Sequence, residues 1–205
     1  MPRYCAAMTA KPAYHHGDLR NALIASGIRL LEKQGLHALS LRAVAADAGV
    51  SHAAPAHHFG NLSGLLTEIA IIGFTRFRKS MQDARDRAPD NPHAALQAIS
   101  EGYVDFARQN PELFKLMFSG AELDRRNEEL KRVGTAAYRE LRSTIAPIAA
   151  ARGVIAPEAV GAMELSAWSF VHGYAHLLIS GQLSPMCGPD GTPPPMPDFA
   201  GPLTG

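Results

Sequence analysis

The chain has 205 residues and a formal net charge of +1, with 46% apolar and 19% charged residues. This length and composition indicate a globular, soluble chain with one or two modest domains. No apolar run of about 18 residues is present, which excludes a membrane span, and the N-terminus lacks the apolar core of a signal peptide. Cys5 and Cys187 form neither a disulfide framework nor a CxxC site, so we expect a cytoplasmic protein in a reducing compartment.

Positive charge is concentrated near the N-terminus, although the net charge of the whole chain is small. Residues 1–66 contain six Lys or Arg residues against three Asp or Glu residues, together with six of the nine histidines. A protein that binds nucleic acid needs positive charge on one face only. The near-neutral total therefore does not exclude DNA as a partner.

Apolar periodicity predicts helices throughout the chain and no convincing strand, so the expected fold class is all-α. Residues 1–16 are expected to form a flexible N-terminal arm. The first helix opens at Gly17-Asp18, where Asp18 is a good N-cap, and ends at Gly35.

Three further helices are predicted from their capping residues. Ser40 caps a short helix from about Leu41 to Ala48, and Ser51 caps another that reaches about His58. Asn61 caps a long helix, whose far end is heavily charged and is expected to be solvated.

The C-terminal half begins after a break at residues 88–92. Asn91-Pro92 and Asn110-Pro111 each open a helix as an N-cap followed by a proline at the first helical position. A long helix from about Glu122 to Ala151 follows, in which Pro147 should cause a bend or an early end.

The last predicted helix runs from about Pro157 to Gly181, and a Pro/Gly-rich tail occupies residues 184–205. We expect this tail to be disordered or to wrap around the protein in an extended form. The final helix is apolar around most of its circumference, which indicates burial on several sides.

The stretch LRAVAADAGVSHAAPAHHFGN, residues 41–61, has the features of two short helices that cross tightly. Ala45 is small enough for the crossing, and Gly49 can adopt the positive φ that a reversal requires. On this spacing alone, a helical hairpin in a core is an equal alternative. His52, His57 and His58 favour an outward-facing second helix instead, because a buried helix would be apolar on that side. Such a helix can enter the major groove of DNA.

Residues 14–70 resemble the DNA-binding region of the tetracycline-repressor (TetR) family of transcription regulators. The family's first three helices are matched by YHHGDLRNALIASGIRLLEKQGLHALSLRAVAADAGVSHAAPAHHF. Ser40 stands at the family's Ser/Thr cap, AGVS at its turn and His58-Phe59 at its His-Phe ending. The segment AWSFVHGYAHLLISG resembles the C-terminal ligand domain of one subgroup, named for its Trp-His-Gly residues. Together these resemblances cover most of the chain up to about residue 183.

The resemblance implies an N-terminal three-helix DNA-binding domain with a helix-turn-helix at residues 17–61. It also implies a C-terminal helical domain for ligand binding and dimerisation at residues 62–183. The expected function is that of a homodimeric, ligand-responsive repressor. A small apolar or aromatic effector would release it from double-stranded DNA that carries a palindromic operator.

Eight DNA-binding candidates lie on or beside the two short helices: Ser40, Arg42, Ser51, His52, Ala53, Ala56, His57 and His58. We expect Ser40, Arg42 and His58 to contact phosphates. We expect His52, Ala53 and His57 to face base edges. On the arm, Arg3 and Lys11 are expected to reach the adjacent groove.

Two positions depart from the family pattern. The family often has Tyr where this chain has Ala56 and Lys where it has Leu62, and both usually contact the phosphate backbone. Because backbone contacts supply much of the affinity for DNA, we expect weaker or differently distributed binding. A helical binding protein with weakened or lost DNA affinity is therefore the alternative function.

Aromatic and flexible side chains in the C-terminal half allow an apolar pocket, which the family resemblance also implies. The ligand-binding candidates are Tyr103, Phe106, Phe114, Met117, Phe118, Trp168, His172 and His176. Ordinary core packing is the alternative for each of these residues taken singly.

His172 and His176 stand at i and i+4, a spacing that can present two ligands to one metal ion. No third ligand has a useful spacing, and the sequence contains no Gly-rich phosphate loop, HExxH or GxSxG motif. We therefore expect no metal, no cofactor and no enzymatic activity. A metal-dependent enzyme built on these two histidines is the lesser alternative.

Overall fold

The structure, a computed structural model, describes residues 16–119 and 123–196. Most of the predicted N-terminal arm, including Arg3 and Lys11, lies outside these ranges. The described ranges contain eight α-helices and no strand, which confirms the all-α fold class. The helices in chain order are α1 (His16–Gln34), α2 (Leu41–Asp47), α3 (Ala54–Phe59), α4 (Leu62–Arg85), α5 (Pro92–Gln109), α6 (Pro111–Phe118), α7 (Glu128–Ala151) and α8 (Pro157–Ile179).

The caps predicted for α2 and α4 are confirmed. The Ser40 side chain accepts a hydrogen bond from the Ala43 N–H at 3.1 Å, and the Asn61 side chain accepts one from Gly64 at 2.9 Å. Each cap stabilises its helix by about 1 kcal/mol. Gly35 follows α1 with a φ of 78°, as expected for the glycine that ends this helix. α1 begins at His16, slightly earlier than predicted, so Asp18 lies in the first turn of the helix rather than at its N-cap.

The predicted cap of α3 is wrong. α3 begins at Ala54 and its N-cap is Ala53, which forms no side-chain capping bond. Ser51 supplies only its backbone carbonyl, which accepts from the Ala54 N–H at 3.0 Å. Pro55 occupies the first turn, where it presets a helical φ and has no N–H for a capping side chain to satisfy. The helix therefore starts at Ala54, three residues after the predicted cap, with Pro55 as its second residue.

The two Asn-Pro sequences behave differently. Asn91 caps α5 as predicted, accepting from the Ala94 N–H at 2.8 Å. The Asn110 side chain instead donates to the Phe106 carbonyl at 3.1 Å and makes no N-capping bond to α6. Asn110 therefore closes the end of α5, while Pro111 alone supplies the expected helix start.

The long helix α7 starts later than predicted, at Glu128 rather than near Glu122. Asn127 caps it by accepting from the Leu130 N–H at 2.9 Å. Pro147 lies inside the helix, which continues to Ala151, so this proline does not end it.

One continuous apolar core joins the two halves, and α4 contributes to both. Near its start α4 packs on α1, where Ile69 is fully buried. Further along α4, Phe77 and Met81 are buried against α5 and α7, while Arg76 and Arg85 of the charged far end are exposed as predicted. The Arg78 Nε donates to the Glu140 Oε1 of α7 at 2.7 Å. The boundary between residues 61 and 62 remains a prediction, since α4 crosses from one half to the other.

The described part of the Pro/Gly-rich tail returns along α8. The Tyr174 hydroxyl donates to the Pro194 carbonyl at 2.6 Å, and Met196 packs against the core. Residues 184–196 therefore adopt the predicted wrap rather than a disordered form. Within the described ranges, no helix has both the length and the hydropathy needed to span a membrane.

Candidate functional site

The α2–α3 corner has the tight geometry that its sequence predicts. Val44 and Ala45 are fully buried at the crossing. Gly49 has a φ of 67°, a conformation that costs glycine little. The Val50 N–H then donates to the Ala45 carbonyl at 3.0 Å. The chain thus reverses in a few residues and turns α3 toward the surface.

A polar cluster that the sequence analysis did not identify holds α2 against α1. The Asp47 Oδ2 lies 2.6 Å from the Ser26 Oγ and 2.6 Å from the Arg29 Nη2. Hydrogen bonding by Ser26 and the positive charge of Arg29 lower the pKa of the Asp47 carboxyl. The charged carboxylate therefore fixes the orientation of α2, and with it the position of α3.

α3 buries one side and exposes the other. Pro55 is buried, whereas Ala53, Ala56 and His57 are exposed and His58 is half-buried. The His57 and His58 ring centroids lie 5.5 Å apart. The remaining candidates Ser40, Arg42, Ser51 and His52 are also exposed. All eight DNA-binding candidates therefore lie at or near the surface, on α2, α3 or the segments beside them.

The end of α3 is anchored by an aromatic side chain. The Arg20 guanidinium lies 5.5 Å from the Phe59 ring centroid and pairs with the Glu68 carboxylate at 2.7 Å. Arg20 and Arg29 are both engaged in ion pairs within the N-terminal half. Arg42 has no carboxylate within ion-pair distance among the described residues, so its charge is available to an outside partner.

The C-terminal half contains an apolar cavity of about 660 Å³. α4, α5, α6, α7 and α8 all contribute to its wall. The lining side chains are largely aromatic or aliphatic: Phe74, Phe77, Met81, Tyr103, Met117, Phe118, Ala137, Tyr138, Leu141, Leu165 and Trp168, with Arg125, Gly134, Ser169 and His172. The volume and composition are those of a site for a small organic molecule.

Five of the eight ligand-binding candidates line this cavity: Tyr103, Met117, Phe118, Trp168 and His172. Phe106 and Phe114 belong to the apolar core but are not part of the lining. His176, one turn beyond His172, contacts the Phe114 ring at a centroid distance of 5.3 Å and is not part of the lining. The roles of the five lining residues remain predictions.

The contributions of α4 and α7 to the cavity wall were not predicted from the sequence. Phe74, Phe77 and Met81 of α4 and Tyr138 of α7 all line it. Helical periodicity identifies the apolar face of a helix, but not which buried residues border an empty volume. Gly134 of α7 was a usable signal, because a glycine inside a helix often leaves space beside it.

Two polar side chains in the cavity wall are hydrogen-bonded to each other. The Tyr103 Oη and the His172 Nδ1 are 2.7 Å apart, and the tautomer of His172 decides which atom donates. Burial, with a smaller contribution from His176, lowers the pKa of His172 to about 4. Burial also raises the pKa of Tyr103. Both groups are therefore uncharged at neutral pH.

Arg125 is the one charged side chain in the lining that the structure describes. Its Nη2 donates to the Ser119 carbonyl at 2.6 Å.

The His172 and His176 rings lie 4.5 Å apart, but residues 16–119 and 123–196 contain no group of three His, Cys, Asp or Glu residues placed to hold a metal ion.

Both halves of the chain match families of known regulators. Residues 23–69 match the family described as bacterial regulatory proteins, tetR family. Residues 96–192 match the family described as tetracyclin repressor-like, C-terminal domain. The second description does not specify a subgroup, so the Trp-His-Gly assignment remains a prediction.

Solved structures share the fold of this chain. A protein of unknown function from Rhodococcus sp. RHA1 is 35% identical, with a TM-score of 0.72 over 84% of this chain and 89% of that one. The TetR family regulator PfmR from Thermus thermophilus shares the fold at 21% identity, with a TM-score of 0.59 over 77% of this chain and 84% of that one.

The uncharacterized HTH-type transcriptional regulator YobS of Bacillus subtilis (strain 168) is 24% identical over 100 residues. That match spans 48% of this chain and 51% of YobS, about half the length of each. The matched families and YobS are regulators and not enzymes, as the sequence analysis expected. With one family model covering the corner of α2 and α3 and the other covering most of the cavity-bearing half, the chain belongs to the TetR family of bacterial transcriptional regulators.

Proposed function

We propose that this protein is a homodimeric, ligand-responsive repressor that acts in the cytoplasm. It binds a palindromic operator through α2 and α3, and a small apolar or aromatic effector releases it. The observation that carries this proposal is the pairing of an exposed α3 with a separate apolar cavity, both built on the single helix α4.

Specific DNA binding is assigned to α3 in the major groove. His52, Ala53 and His57 face base edges, where imidazole can donate or accept hydrogen bonds. Ser40, Arg42 and His58 contact phosphates and set the register of the helix. In a twofold dimer, the two copies of α3 would lie about 34 Å apart, one turn of B-DNA.

The surface of α8 supports dimerisation. One stripe of this helix exposes small residues at helical spacing, namely Ala162, Ser166, Ser169 and Gly173. Beside the stripe, Leu165 is 58% and Leu177 is 42% exposed. Small residues allow two helices to approach closely, and exposed leucines gain free energy when a partner covers them. The stripe therefore suits a second copy of α8.

Helix α4 supports communication between effector and DNA. Phe74, Phe77 and Met81 on α4 line the cavity, and the same helix begins at Leu62, three residues after α3 ends. An effector that displaces these side chains favours a different position of α4 and thus a different spacing of the two α3 helices. The effector can shift the equilibrium between the two positions of α4 only to the extent that it binds one of them more tightly than the other.

The proposal is tested by selecting operators from a random duplex library and measuring affinity by fluorescence anisotropy. A palindromic consensus bound by two protomers supports it, and selection of no sequence at low salt contradicts it.

Failure to select any sequence would favour a helical binding protein with weakened or lost DNA affinity. That alternative is motivated by Ala56, which is exposed and apolar, and by Leu62, which is half-buried. Neither side chain supplies a hydrogen bond or charge to the phosphate backbone.

A further inference from the structure

The cavity wall has an unequal distribution of charge. Among its described lining residues, Arg125 is positive and no carboxylate is present. Glu164 lies behind the wall, where its Oε1 accepts from the Arg142 Nε at 2.9 Å and its Oε2 accepts from the Tyr138 hydroxyl at 3.1 Å. Because Arg142 neutralises Glu164, this carboxylate does not offset the charge of Arg125.

Arg125 retains hydrogen-bonding capacity. A guanidinium has five N–H donors, and the Ser119 carbonyl engages the Nη2 alone. No described carboxylate lies within ion-pair distance of Arg125. Its side chain is exposed, so it can turn toward a ligand that enters the cavity. A planar guanidinium binds a carboxylate with two parallel hydrogen bonds.

The remainder of the wall offers no second charge among the described residues. His172 and Tyr103 bond to each other and are uncharged at neutral pH. Phe74, Phe118 and Trp168 present rings to the same space. The cavity therefore has one cationic group among its described lining residues, on an otherwise uncharged and largely aromatic wall.

We propose that the effector is an amphiphilic anion, whose apolar body lies among the aromatic rings and whose carboxylate or similar anionic group binds Arg125. This inference rests on the proposed effector function and adds the chemical class of the effector. In this proposal Arg125 selects anionic ligands. Its hydrogen bond to the Ser119 carbonyl uses only one of its nitrogens and leaves the others able to bind a ligand.

Trp168 provides the measurement, because it is the one tryptophan of the chain and lines the cavity. Phenylbutyrate and the neutral phenylbutanamide have the same apolar body, and their phenyl group absorbs little light where tryptophan is selectively excited. Titration of each probe, followed by Trp168 emission, gives its affinity. We expect the carboxylate to bind roughly tenfold more tightly than the amide, in line with a charge-assisted hydrogen bond.

Two variants separate charge recognition from structure. Arg125→Gln should abolish the preference for the carboxylate, whereas Arg125→Lys should retain part of it. Arg126→Gln is the matched control, since Arg126 is exposed and does not line the cavity. Thermal melting of each variant establishes that it is folded.

A third variant establishes that the probes bind in the cavity. Gly134 lines the cavity, and a Cβ added there would meet nothing within 4 Å. Gly134→Met should therefore fill the space and abolish the change in Trp168 emission that each probe causes. If the probes still change Trp168 emission in Gly134→Met as they do in the wild type, the inference is overturned.

Equal affinity of the wild-type protein for the two probes, or a preference that persists in Arg125→Gln, overturns the anion assignment and leaves the effector site intact. If neither probe alters Trp168 emission, the proposed effector function fails, and the inference fails with it.

Discussion

A Cβ atom placed on Gly73 would lie 2.7 Å from the Sδ of Met117 and 2.8 Å from its Cγ. Gly73 is buried on α4 and Met117 is buried on α6, so the two helices approach closely at a glycine. Met117 also lines the cavity. The contact therefore joins the helix that follows α3 to the wall of the cavity.

Gly73→Ala should displace Met117 into the cavity. Overpacking of the contact between α4 and α6 destabilises the protein by about 1–3 kcal/mol. The better helix propensity of alanine stabilises it by up to about 1 kcal/mol. We expect a net destabilisation of about 1 kcal/mol in urea unfolding, with a severalfold lower affinity for the probes. The double variant Gly73→Ala/Met117→Ala removes the obstructing side chain and is the control. An unchanged probe affinity in the single variant would show that this contact does not shape the site.

Arg42→Ala should weaken binding to all DNA sequences and reduce the slope of log affinity against log salt by about one. The reason is the loss of one phosphate contact and of the counterions that it releases. Fluorescence anisotropy with the selected operator across a salt series measures the slope. Arg76→Ala is the matched control, because Arg76 is exposed on the middle of α4, away from α3. A slope identical to that of the wild type would remove Arg42 from the interface.

Asp47→Asn should lower the melting temperature at neutral pH, because Ser26 and Arg29 hydrogen-bond to the charged carboxylate. The folded-state pKa lies below the ordinary value of 3.8. The stabilisation is therefore complete above that value and is lost as the pH falls through the folded-state pKa. The difference in melting temperature between wild type and variant should narrow in this acidic range.

Differential scanning fluorimetry across pH checks this expectation, with Asp83→Asn as the control. Asp83 forms an exposed pair with Lys79, a kind of contact that contributes little to stability. If the difference in melting temperature between wild type and Asp47→Asn stays constant into the acidic range, titration of Asp47 is not its source.

Gly173→Arg should prevent dimerisation without destabilising the protomer. An added Cβ at Gly173 meets nothing within 4 Å, and arginine has a better helix propensity than glycine. Sedimentation velocity should show a monomer for this variant and a dimer for the wild type. Glu101→Arg, an exposed change on α5, is the control. A Gly173→Arg protein that remains dimeric would place the interface elsewhere.

Local chemistry made most of the helix boundaries predictable. Ser40, Asn61 and Asn91 accept backbone hydrogen bonds as their residue types and positions suggest. The prediction failed at Ser51, which lies two residues before the N-cap Ala53, and at Asn110, whose side chain donates to the Phe106 carbonyl instead. A following proline does not decide the outcome, because Asn91 caps α5 directly before Pro92.

The candidate site was less predictable, because a cavity depends on the packing of several helices. Phe114 and Phe118 lie one turn apart on α6, yet only Phe118 lines the space. Likewise, the bond between Ser26 and Asp47 joins residues 21 positions apart, and no local pattern indicates it. Contacts of this kind follow from the relative placement of helices, which periodicity alone does not fix.

The six-residue α3 is too short to be stable in isolation, and it is held in place by Pro55, Phe59 and the Gly49 turn. Its outward positions contribute little to that support, since Ala53, Ala56 and His57 are exposed. On the proposed role of α3, substitutions at these three positions would alter which operator is recognised at small cost to folding. Duplicated copies of such a gene would then diverge toward new target promoters while the scaffold that presents α3 stays the same.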